Sequence, residues 1–113
     1  MSNEQLAKEI LAQLGGAQFV MMVGAKGRLV ALDRNDERLG GLTVGFRARA
    51  KNKIKSVRIE LMPADHYRVR FYTGAPEFKE KACFEPVYCD ELQSLFEQTT
   101  GLCAYMFSPV RFG

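Results

Sequence analysis

The sequence predicts one α+β domain spanning residues 1–113: an antiparallel sheet of about five strands, with N- and C-terminal helices packed on one face. Three observations carry this. Segments 42–50, 56–62 and 66–73 alternate apolar and polar residues, the period of a half-buried strand. They follow one another through short connections, as antiparallel neighbours do. At the two ends of the chain, Leu6, Ile10, Leu11 and Leu14, and again Leu92, Leu95 and Phe96, form apolar stripes at helical spacing that suit a cover for the inward sheet face.

Taken in order, Ser2 to Leu14 reads as a helix, with Ser2 and Gln5 at capping-box spacing and Gly15-Gly16 as its stop. FVMMV, 19–23, reads as a short buried strand. Gly24 to Gly27 is a turn, and RLVALD, 28–33, the returning strand. Residues 34–41 are polar, end in glycine and read as a loop. In 42–50, Leu42, Val44, Phe46, Ala48 and Ala50 share one face, and Arg47 and Arg49 the other. Residues 51–55 form a basic connection. In 56–62, Val57, Ile59 and Leu61 point inward, and Arg58 and Glu60 outward. Pro63-Ala64-Asp65 is a turn. In 66–73, Tyr67, Val69 and Phe71 point inward, and His66, Arg68, Arg70 and Tyr72 outward. Residues 74–89 read as a loop with one short strand near 83–88. Asp90, with Gln93, caps a second helix over 90–100 that Gly101 ends, and the apolar tail 102–113 docks at least in part.

Charge is unevenly spread. Residues 26–74 hold twelve Lys/Arg and five Asp/Glu, a net of +7, whereas 75–100 hold two Lys and six Asp/Glu, a net of −4. The densest run, RARAKNKIKSVR, carries Arg47, Arg49, Lys51, Lys53, Lys55 and Arg58 with no acid among them. Set on strands, these residues join Arg68 and Arg70 in a wide basic sheet face and hairpin, the footprint of a polyanionic partner.

Other chemistry is poorly supplied. His66 is alone, and Cys83, Cys89 and Cys103 form no CxxC pair, so neither a zinc site nor a disulfide framework is expected. The same scarcity argues against a catalytic residue, because a nucleophile needs an oriented base. Asp90-Glu91 suits a helix start better than a catalytic dyad. Gly24-Ala25-Lys26-Gly27 lacks the length and the Ser/Thr of a phosphate loop. No cofactor and no membrane partner are expected, and an interior, cytoplasmic location fits the unpaired thiols.

ILAQLGGAQFVMMVGAKG (10–27), VRIELMPADHYRVRF (57–71) and FEQTTGLCAYM (96–106) resemble a family of small proteins found in phages and integrated mobile elements. In that family a helix ending in LGG leads into a strand and GAK, and a C-terminal helix ends in TGL. The resemblance implies a phage or mobile-element context in a host cell and carries no mechanism with it. RARAKNKIK is more basic than the family pattern.

The expected function is that of a non-catalytic accessory protein that binds nucleic acid or a host ribonucleoprotein through Arg47, Arg49, Lys51, Lys53, Lys55, Arg58, Arg68 and Arg70. The alternative is an anti-defence inhibitor, anti-CRISPR or anti-restriction, that occupies a surface of a host defence protein, with the acidic 75–100 segment as a mimic of DNA. The segregated charge also fits self-association into a homodimer.

Overall fold

A computed structural model describes residues 2–102. The docking expected of 103–113, and Cys103 with it, lies outside the described residues. Three helices cover one face of a five-stranded antiparallel meander, in which every strand pairs with its neighbour in sequence. The elements are α1 (Asn3–Leu14), α2 (Gly16–Val23), β1 (Leu29–Leu32), β2 (Gly40–Gly45), β3 (Ile54–Leu61), β4 (Tyr67–Thr73), β5 (Glu80–Val87) and α3 (Leu92–Thr100). Among these described residues, no helix is long and apolar enough to cross a membrane.

Helix α1 begins as its sequence predicts. The Ser2 hydroxyl accepts from the Gln5 amide, and the Gln5 side chain accepts from the Ser2 amide. Leu6, Ile10 and Leu14 are buried against the sheet. The core forms where these side chains meet Leu42, Val44, Val57, Ile59, Val69 and Phe71. Phe96 of α3 closes it, with ring centroids 4.9 Å from Phe19 and 5.7 Å from Phe46. Burying a side chain of this size contributes about 1.5–3 kcal/mol.

Four segments differ from the sequence expectation. Residues 19–23 are helical: a glycine at each end stops the chain, and the intervening apolar run turns Phe19 and Val23 into the core while Met21 stays exposed. A short apolar run carries no period that separates a buried strand from a helix. Residues 80–87 form a full strand where 74–89 read mostly as a loop, so the sheet keeps five strands. The second helix is capped two residues earlier than Asp90 and Gln93 imply. A 3₁₀ turn at Cys89–Glu91 leads into α3, and Glu91 Oε1 accepts from the Tyr88 amide at 2.9 Å.

Strand β2 ends at Gly45, although the alternation runs on to Ala50. Beyond that point the backbone leaves the sheet. The Arg47 and Ala48 amides donate to the Val23 carbonyl at 2.9 and 3.1 Å, occupying the open end of α2. Gly24 makes the junction possible. It sits at φ 69°, and a Cβ there would lie 3.0 Å from Arg47 Cβ. Gly24→Ala is therefore expected to cost about 1–2 kcal/mol in urea denaturation. Unchanged stability would show that the junction tolerates a side chain.

Candidate nucleic-acid interface

The helix-free sheet face is not a uniform basic surface. Its centre is Glu60, which is 1% exposed although it points away from the helices. Register pairs Glu60 with Arg68, and Arg58 with Arg70. Arg68 grips the carboxylate with two hydrogen bonds, at 3.0 and 3.2 Å. Arg38 reaches it at 3.0 Å and Arg70 at 2.8 Å. Arg58 lies over the Tyr72 ring, 5.3 Å from its centroid. Two of the expected binding residues, Arg68 and Arg70, are thus engaged by a buried carboxylate, as is Arg38.

Burial alone would raise the Glu60 pKa. The hydrogen bonds from Arg68 and Arg38 and the charge of Arg70 outweigh it and hold the carboxyl below its ordinary value of 4.5. Its contribution to stability is therefore complete above 4.5 and is lost as pH falls through the depressed value of the folded protein. Stability is expected to fall with acid over that range, and Glu60→Gln to flatten the fall. Equal acid slopes for the two proteins in urea titrations would contradict this.

Seven other cations collect at one end of the sheet, where β3 begins and β4 ends. An open cleft of about 790 Å³ is lined by Arg49, Lys53, Lys55, Lys79 and Lys81, with Glu77 as its one carboxylate. A second, of about 510 Å³, adjoins it through Lys55, Thr73, Gly74 and Ala75 and adds Arg28, Arg47 and Phe78.

Local backbone irregularities aim these side chains. The β3–β4 register shifts between Ile54 and Ser56, leaving Lys55 as the extra residue. The β4–β5 register moves from Phe71–Ala82 to Tyr72–Glu80, leaving Lys81 extra in the same way. A bulge breaks the inward–outward alternation and redirects its side chain. Lys53 follows Asn52 through a left-handed turn, at φ 62° and 56° respectively. Arg47 and Arg49 lie on the segment pinned to α2, both exposed. A concave site lined by one sign of charge concentrates the potential that draws an anion in.

The eight sequence-predicted residues therefore separate. Arg47, Arg49, Lys53 and Lys55 come together in the clefts. Lys51 turns instead to the end of α3, where its Nζ donates to the Gln98 carbonyl at 3.4 Å and offsets the helix dipole. Arg58, Arg68 and Arg70 stay on the sheet face. Sequence reading missed Arg28, Phe78, Lys79 and Lys81. The two lysines sit in a segment of net negative charge, and only recognition of β5 as a strand beside β4 would have placed them.

Several acids of 75–100 are occupied within the fold. Glu85 meets His66 Nε2 at 2.8 Å, Glu80 lies 3.9 Å from Arg70, and Glu91 caps the Tyr88 amide. Burial and then the neighbouring Glu80 push the Cys83 thiol up, away from the thiolate that nucleophilic chemistry uses. Among the described residues, no three His, Cys, Asp or Glu side chains gather as a metal site. Comparison of the chain with family models, with curated proteins and with solved structures finds no match.

Proposed function

We propose that the protein is a non-catalytic accessory protein that binds nucleic acid, free or within a ribonucleoprotein, through the paired basic clefts at the end of its sheet. The observation that supports this reading most strongly is the convergence of seven cations from four separate stretches of chain against a single carboxylate. Folding such a cluster costs self-repulsion, so its persistence fits a partner that supplies the missing negative charge. The phage or mobile-element setting implied by the resemblance belongs to the same proposal.

Phosphates neutralised in the clefts release counterions, so affinity for short DNA or RNA should fall steeply as salt rises. Titration of labelled oligonucleotides at low and at physiological salt tests this, with a pull-down from nuclease-treated host lysate alongside. Salt-sensitive binding supports the reading. Failure to bind free nucleic acid, with a host protein retained after nuclease treatment, overturns it in favour of an anti-defence inhibitor acting by protein–protein contact. The engagement of Glu80, Glu85 and Glu91 within the fold weighs against an acidic mimic of DNA.

A further inference from the structure

The clefts hold one feature that cation placement alone does not explain. Phe78 is 63% exposed in the β4–β5 connection, although a phenyl ring is among the side chains with most to gain from burial. The loop around it is closed. The Phe78 amide donates to the Gly74 carbonyl at 3.1 Å. The Thr73 amide donates to the Lys79 carbonyl at 2.9 Å, and the Lys79 amide to Thr73 Oγ1 at 2.8 Å. The backbone holds Phe78 at φ 48°, a left-handed conformation that an aromatic residue rarely adopts. The ring is thus presented on a hydrogen-bonded turn, against the cleft that Arg28, Arg47 and Lys55 line.

We infer that the clefts take single-stranded nucleic acid, with Phe78 as the surface on which a base stacks and the surrounding Lys and Arg side chains as phosphate contacts. This rests on the nucleic-acid reading above and narrows it. Single-strand sites combine a basic groove that follows the backbone with exposed aromatic rings, because every base has a π-face. Paired bases in a duplex are already stacked and offer no free face to a ring beside the groove. Gly74 helps join the two clefts. A Cβ there would sit 3.0 Å from Lys55 Cγ, so glycine lets the lysine stem lie against the strand end and serve both.

The test uses fluorescein-labelled oligo(dT) and oligo(U) of about 12 nucleotides, within the usual site sizes for such grooves, and a DNA duplex of equal length. Wild-type protein is expected to bind at least one single strand more tightly than the duplex. Phe78→Ala is expected to weaken single-strand binding roughly 5- to 150-fold, the range a stacked base contributes, and to leave the salt slope unchanged because no phosphate contact is lost. Phe78→Trp should retain or tighten binding, and circular dichroism should show both variants folded, since the ring lies outside the core. If Phe78→Ala binds like wild type, or loses strand and duplex equally, the stacking assignment is overturned while the basic cleft stands. A wild-type protein that binds no oligonucleotide overturns the inference and the underlying reading together.

Discussion

Glu60→Ala is expected to destabilise the fold by about 3–5 kcal/mol, the cost of leaving buried charge without its partner. The carboxylate accepts from Arg38, Arg68 and Arg70, whose side chains are themselves only 15–22% exposed. Without it, three guanidinium groups would face one another in a partly dry cluster, with Arg58 beside Arg70 across the β3–β4 pair. Guanidinium groups cannot shed their protons to relieve the repulsion. Glu60→Gln keeps an acceptor and should cost less. Urea denaturation of the two variants measures the difference. A loss under about 1 kcal/mol for Glu60→Ala, the scale of a surface pair, would show that solvent, and not Glu60, balances these arginines.

The same cluster explains why the site was only half legible in the sequence. Alternation in 56–62 and 66–73 correctly predicts Arg58, Arg68 and Arg70 on the face away from the helices. It also places Glu60 there, as one acid among many bases. What a linear reading cannot supply is that Glu60 lies in register with Arg68, next to the Arg58–Arg70 pair, so that one carboxylate gathers three arginines. A count of charges along the chain treats them as free.

The fold class was readable because its signals are periodic. Three alternating segments and two amphipathic helices give an antiparallel sheet with helices on one face, as observed. The misread segments are those where period is silent or broken. FVMMV is apolar throughout and became part of α2. Glu80 to Val87 pairs through two register shifts, at Lys81 and near Pro86, and so lacks a clean alternation. The strand expected over 42–50 ran past the true end of β2 because Arg47 and Ala48 exchange ladder bonds for the open Val23 carbonyl. That interaction joins residues far apart in sequence.

These breaks in pattern lie where the cleft is. Lys55 and Lys81 are bulge residues, Lys53 and Phe78 have positive φ, and Arg47 follows the departure from β2. A regular sheet end would send such side chains to alternate faces. The irregular one turns them toward a shared concavity.

Paired charge reversals test that concavity most directly. Lys53→Glu with Lys55→Glu alters two lysines of the cleft, and Lys8→Glu with Arg34→Glu makes the same change in net charge at exposed positions outside it. Both double variants should stay folded, because all four side chains are solvent-exposed. Binding of a labelled single-stranded oligonucleotide is measured across a series of salt concentrations. The cleft pair is expected to lose roughly 100-fold or more in affinity, and its plot of log affinity against log salt to flatten by about two units, near one for each phosphate contact removed. The outer pair should keep the wild-type slope with only a small loss of affinity. Equal losses from both pairs, or wild-type binding by the cleft pair, would contradict a binding site at this end of the sheet.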